Sequence, residues 1–246
     1  MTGTVTPAAA VGLVHRLLLR QLVTRGRIIA LLALGVVAVL AALGVAVSDE
    51  VEDQVVTTIE VIDGLGLVLV VPIVSLVFAS ASLGDLREDG TLVYLWLRPM
   101  DRAPIVLGAY LASITVAAPL TAIPLGAAAA VGGAGADGVI ATVVTSLVGV
   151  VTYSALFVLL GLLVKNSIIW GLGYVLLWEG LFTQFSDSIA QAAVRGYLRA
   201  LLGNLSDVSL DSALDSSTPQ SLIVCGLIAV LSLFIASQRL NQMEID

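Results

Sequence analysis

Residues 85–108 read DLREDGTLVYLWLRPMDRAPIVLG. Seven charged side chains crowd its first three-quarters: Asp85, Arg87, Glu88, Asp89, Arg98, Asp101 and Arg102. Long apolar runs flank it. The chain of 246 residues is 59% hydrophobic and 12% charged, with a mean hydropathy of +1.07. A soluble domain carries roughly 25% charged residues. Half that figure leaves too little polar surface to cover a globule in water. The composition therefore excludes an ordinary soluble fold and predicts an all-α polytopic membrane protein. A hydrophilic link this dense between two spans is where such a protein meets something soluble.

Working outward from that link, six spans emerge. Residues 28–47 form an uncharged run of bilayer length. An acidic link follows at 48–63, holding Asp49, Glu50, Glu52, Asp53, Glu60 and Asp63 and no base. The second span covers 64–83, and Pro72 inside it predicts a kink. The third covers 103–131, with Pro119 and Pro124 readable as gating kinks or as tolerated prolines. The fourth covers 139–164 and the fifth 168–185. A long link at 186–219 has a helical first half, with Arg195 and Arg199 four apart, and an acidic second half. The sixth span covers 220–237, and a short tail closes the chain at 239–246.

Before the first span, residues 8–27 have a helical pattern. Arg16, Arg20, Thr24 and Arg27 recur at steps of four, four and three and so share a face. Leu13, Leu17, Leu18 and Leu22 take the other side. The pattern predicts an amphipathic helix in the membrane interface, with arginines towards anionic lipid headgroups. His15 reads as a further interfacial polar group. The arginines precede a run long enough to span and stay, so the N-terminus reads as retained and not as a cleaved leader. The domain reading is thus an N-terminal segment at 1–27, a six-span transmembrane bundle at 28–238 and a tail.

Charge decides the orientation. Lys and Arg on one side of the six-span thread number nine: Arg16, Arg20, Arg25, Arg27, Arg87, Arg98, Arg102, Lys165 and Arg239. Arg195 and Arg199 stand alone on the other. The positive-inside rule then puts both termini and the 84–102 link in the cytoplasm of a plasma-membrane protein, and the 48–63 and 186–219 links outside. The net charge of −7 carries no message about nucleic acid, because the charges are sorted by side, and no nucleic-acid partner is expected. The lone cysteine, Cys225, lies in an apolar run and reads as a small buried hydrophobe. No metal-ligand set is visible.

Within the link, Gly90 is suited to end a helix that continues out of the second span. Thr91 is suited to cap a short helix ended by Arg98-Pro99. Leu92, Leu95 and Trp96 share one face of that helix, ready for a groove on another protein. The plainer reading is an interfacial loop. Glu88-Asp89-Gly90-Thr91-Leu92, followed by Leu95, Pro99, Arg102 and Leu107-Gly108, resembles the cytoplasmic signature of the type-2 ATP-binding-cassette (ABC) transporter permeases. That family reads Glu-x-Gly-Thr-Leu, leucines, Pro-x-x-Arg and then Leu-Gly-Lys; here Ala109 stands in place of the lysine. The resemblance implies a homodimeric or heterodimeric permease that pairs with two cytoplasmic nucleotide-binding ATPase subunits. It implies a coupling helix in this link that docks on the ATPase, with Glu88, Gly90 and Thr91 as docking residues. Asp85, Arg87, Asp89, Leu92 and Leu95 are neighbours of that site. ATP and magnesium would belong to the partner. The chain has no Gly-x4-Gly-Lys-Ser/Thr pattern, so no cofactor and no ATPase activity of its own are expected.

Glu179 is the second candidate. It lies about 16 Å into the fifth span at 1.5 Å per residue. An ionisable group at such depth costs roughly 2.5–3.5 kcal/mol and points to a pathway, an interface or a buried partner. It reads either as lining of a translocation path or dimer interface, or as a hydrogen-bonded acid that ties spans together. The outer helix around Arg195 and Arg199 resembles the family's re-entrant outer helices, which implies an outer gate; the plainer reading is a surface helix on the outer leaflet. Ser75, Ser80, Ser82, Thr142, Thr145 and Ser146 suit interhelical hydrogen bonds or a path lining. Two other functions stay open: a secondary transporter or channel with Glu179 as its proton site, and a membrane assembly protein without transport.

Overall fold

In lipid, each backbone N–H and C=O must be bonded within its own segment, so apolar runs of this kind fold as helices. The computed structural model describes residues 6–48, 53–90, 102–181, 191, 193–210 and 214–242. Among these residues there is no strand. Eight helical elements follow one another: α1 (Pro7–Leu22), α2 (Arg25–Ala46), α3 (Gln54–Glu88), α4 (Ala103–Val131), α5 (Gly135–Leu163), α6 (Ser167–Leu181), α7 (Val194–Ser206) and α8 (Thr218–Gln242). Five of them, α2, α3, α4, α5 and α8, are long and apolar enough to cross a membrane. This is consistent with a polytopic helical membrane protein. The expected fifth span appears as α6, a shorter apolar helix, and residues 182–185 of that span lie outside the described residues.

Helices α3 and α5 form the centre. They run parallel, Val71 meeting Gly149 and Ser80 meeting Gly161. A Cβ at Gly161 would stand 2.7 Å from the Ser80 carbonyl oxygen, so the bare glycine is what lets the two backbones approach. Helix α4 packs on α3 and α5, and α2 lies outside α4, with Gly35 seated on the Pro124 ring. Helix α8 packs on α5 from the other side. The outer helices α2 and α8 expose large apolar side chains such as Ile29, Leu40, Ile223 and Phe234, as lipid-facing helices do.

Several boundaries differ from those read in the sequence. The acidic link is shorter, because α3 begins at Gln54: Asp53 caps it, its Oδ1 accepting from the N–H groups of Val55 at 3.0 Å and Val56 at 3.1 Å. An aspartate at this position satisfies otherwise orphaned helix donors, and it draws Glu60 and Asp63 into the helix. The N-terminal helix is also shorter. It stops at Leu22, Thr24 takes an extended backbone, and Arg25 and Arg27 belong to α2. Arg16 and Arg20 therefore do not share a helix with Thr24 and Arg27. Nor does α1 merely rest in the interface. It buries Ala10, Val14, Leu18 and Leu22, with Val14 against Gly108 and His15 Nε2 3.1 Å from the Thr115 hydroxyl. Leu13 and Leu17, expected on the apolar side, are exposed.

The prolines behave in two ways. Helix α4 stays α-helical through Pro119 and Pro124. In α3, the nine residues Ile62–Val70 before Pro72 form a π-helical stretch, and the Val71 N–H reaches back to the Gly66 carbonyl. A proline ring clashes with the carbonyl four residues before it. A widened turn just ahead of Pro72 moves that carbonyl out of the way.

Candidate functional site

Two polar clusters stand at opposite ends of the bundle. The first gathers where α3 leaves it. Arg27 Nη2 donates to Asp85 Oδ2 at 3.0 Å, joining the start of α2 to the end of α3. Arg87 Nη1 donates to the Leu162 carbonyl at 3.0 Å, one of the carbonyls an α5 C-terminus leaves without a helical partner. Glu88 Oε1 accepts from the Asn166 N–H at 2.8 Å, in the turn before α6. Asn166 is left-handed there, at φ 54°. Helix α3 ends at Glu88, and Gly90 takes φ +67°, the left-handed backbone that glycine adopts without strain. Arg102, at the start of α4, donates to the Leu240 and Asn241 carbonyls at the end of α8.

The sequence-predicted coupling residues thus divide. Asp85, Arg87 and Glu88 bind within the chain. Asp89 and Gly90 are exposed. Thr91, Leu92 and Leu95 lie outside the described residues. The contacts also set the start of α2, the end of α3, the start of α4, the end of α5, the start of α6 and the end of α8 at one end of the molecule.

The second cluster lies at the opposite end and joins Glu179 to both predicted gate arginines. Glu179 is fully buried. Its Oε1 accepts from the Tyr174 hydroxyl and from the Val194 N–H at 3.2 Å. Its Oε2 accepts from the Arg195 N–H at 2.9 Å. Ala193 precedes α7 in an extended backbone and has no side chain able to cap it. Glu179 therefore supplies, from another helix, the acceptors that the α7 N-terminus requires, and its charge complements the helix dipole.

Arg195 is held twice more. Nη1 donates to the Glu179 carbonyl at 3.4 Å, and Nη2 lies 3.3 Å from Asp63 Oδ2. Arg199 Nε lies 3.1 Å from the same Asp63 oxygen. Asp63 is nearly buried, and its Oδ1 has no hydrogen-bond partner among the described residues. Two carboxylates and two guanidiniums thus meet with balanced formal charge. Buried charges need that pairing, because an isolated one is costly in a low-dielectric interior. Tyr153 stacks on Phe157 with centroids 5.8 Å apart, and Phe157 meets Tyr174 edge-on at 6.3 Å. That aromatic column positions the Tyr174 hydroxyl beneath Glu179.

Both carboxylates sit in π-helical stretches, Asp63 in Ile62–Val70 and Glu179 in Tyr174–Leu181. Such turns are rare and gather at functional sites. The π turn also explains the Tyr174–Glu179 pair, since its period brings residues five apart almost into line. The sequence reading missed Asp63 as a partner, and it missed Tyr174. The five-residue spacing is no signal on an α-helix, and Asp63 reads as link when α3 is started at residue 64. The hydroxyls of Ser80, Thr142 and Ser146 each donate to a carbonyl of their own helix, a habit of membrane helices that needs no pathway. No protein-family model matches the chain, and no curated protein matches it.

Proposed function

We propose that this chain is the membrane-spanning permease subunit of an ABC exporter, working as a homodimer or heterodimer with two cytoplasmic nucleotide-binding subunits. The observation that carries the reading is the Glu88-Asp89-Gly90-Thr91-Leu92 signature placed where α3 ends. The 85–97 link carries the coupling, with Glu88, Gly90 and Thr91 as the docking residues and Asp85, Arg87, Asp89, Leu92 and Leu95 as their neighbours. Asp85, Arg87 and Glu88 also brace the link against the rest of the chain. Their partners lie on α2, on α5 and at the start of α6, so a push on the link reaches three helices at once. A rigid connection of this kind is what coupling to a domain motion requires.

In this reading the apolar run 168–185 is the fifth of six plasma-membrane crossings, and both termini are cytoplasmic. The α7 helix, held by Asp63 and Glu179, closes the outer end. ATP and magnesium bind the partner subunit, and this chain contributes no ATPase residue.

The test is purification of the tagged chain from its own membranes in mild detergent, followed by ATP hydrolysis by the purified material. The reading predicts a co-purifying nucleotide-binding subunit and ATPase activity with the wild type, both lost in Thr91→Arg. Absence of any ATPase from the wild-type preparation would overturn it. A second reading, a secondary transporter with Glu179 as its proton site, draws on the buried cluster at the opposite end. It predicts proton-coupled flux abolished by Glu179→Gln with no ATPase present.

A further inference from the structure

Of the two π-helical stretches that carry Asp63 and Glu179, one is explained by its own sequence and the other is not. In α3 the stretch Ile62–Val70 stands just ahead of Pro72, whose ring displaces the carbonyl of an ordinary α turn. Helix α6 has no proline between Ser167 and Leu181. Its last eight residues, Tyr174–Leu181, are nevertheless π-helical. Such turns are rare and mostly single, and Leu176, Leu177 and Leu181 are good α-helix formers. A stretch of this length needs a cause outside the local sequence.

The contacts of Glu179 supply that cause. In an α-helix, at 3.6 residues per turn, residues five apart stand about 140° apart. Tyr174 and Glu179 would then point to different sides of α6. A π turn, bonded over five residues, brings them to one side, where the Tyr174 hydroxyl donates to Glu179 Oε1. The same register puts Glu179 on the first turn of α7. Its carboxylate takes the Val194 and Arg195 N–H groups at 3.2 and 2.9 Å, and its carbonyl accepts from Arg195 Nη1 at 3.4 Å. Glu179 is fully buried, so losing these bonds would leave costly unpaired groups.

From these contacts we infer that α6 is a two-register switch. The π register is held by the docked N-terminus of α7. Undocking of α7 returns Tyr174–Leu181 to the α register, with Glu179 turned away from Tyr174. At its other end α6 begins beside Asn166, whose N–H donates to Glu88. A change of register at Glu179 is thus joined to the end of α3 through a single helix. The inference does not depend on the transport reading.

The test is dipolar broadening between pairs of nitroxides on the full chain in lipid vesicles, with Cys225→Ala as background. Leu176, Leu177 and Leu181 are exposed and take labels without entering the core. Leu176→Cys/Leu181→Cys pairs residues five apart, which share a side in the π register alone. Leu177→Cys/Leu181→Cys pairs residues four apart. Four residues fall just short of a π turn and just beyond an α turn, so this pair broadens in either register and reports that the helix persists. The switch predicts broadening of both pairs in the otherwise unchanged chain. With Glu179→Leu, broadening of the 176/181 pair is lost and that of the 177/181 pair stays. The milder Tyr174→Phe/Glu179→Gln shows the same loss in part, and it serves where Glu179→Leu does not fold. A 176/181 pair that shows no broadening in the unchanged chain overturns the inference. So does broadening of that pair undiminished in the variants, or its loss from both pairs together.

Discussion

At the residue scale, the buried ions decide most. Asp63 is the shared counter-ion of Arg195 and Arg199, so Asp63→Asn leaves two guanidiniums without their carboxylate. Removing one partner from a buried ionic network costs about 3–5 kcal/mol. We expect Asp63→Asn to lower stability by about 3 kcal/mol in detergent unfolding, and Asp63→Asn/Arg199→Gln to recover part of the loss. A double variant no better than the single would contradict the pairing. Glu179→Gln keeps one carbonyl acceptor of two. It should cost about 1–2 kcal/mol, the scale of a helix-cap loss. The loss should appear locally, as faster amide exchange in the first turn of α7 with exchange in α5 unchanged. Much of this site was legible one residue at a time. Glu179 stands out as a carboxylate in an apolar run, and Arg195 and Arg199 as a four-residue pair. That they meet was not legible, because the meeting depends on a long-range contact to Asp63 and on π-helical turns that no local spacing announces.

At the element scale, apolar run length forecasts the membrane helices well and their ends less well. Hydropathy registers where the bilayer-like stretch lies, but a helix runs on wherever its backbone is capped. Asp53 carries α3 ten residues beyond the expected start, and the braces at Asp85, Arg87 and Glu88 carry it to Glu88 at the other end. The N-terminal pattern failed differently. Arginines at steps of four describe one face of one helix, yet the burial of Leu18 and Leu22 against α4 ends α1 before Arg27 can join it. Small residues set how near the elements come. Gly161→Ala would press a Cβ 2.7 Å from the Ser80 carbonyl oxygen. Overpacking of this kind costs about 1–3 kcal/mol. Gly44 has nothing within 4 Å of its would-be Cβ, so Gly44→Ala should be neutral or should stabilise by about 0.5–1 kcal/mol through helix propensity. Thermal unfolding of the two variants side by side checks the contrast, and equal melting temperatures would contradict the α3–α5 contact.

At the scale of the whole molecule, the composition alone announced a polytopic helical protein, and the contacts add which helix ends lie together. Arg27, Asp85, Arg102, Leu162, Asn166 and Asn241 meet at one end; Thr58 and Gly132, with Asp63, Glu179 and Arg195, meet at the other. The proposed coupling requires the first end to face the cytoplasm, since that is where an ATPase can reach the 85–102 link. The direct measurement is side-specific cysteine labelling in intact cells. Cys225 is replaced by alanine, and single cysteines are introduced at the exposed positions Asp89 and Ala136. A membrane-impermeant maleimide added outside should label Ala136→Cys at once and Asp89→Cys only after the cells are opened. Labelling of Asp89→Cys from outside, with Ala136→Cys protected, would place the link beyond the reach of any cytoplasmic partner and contradict the account.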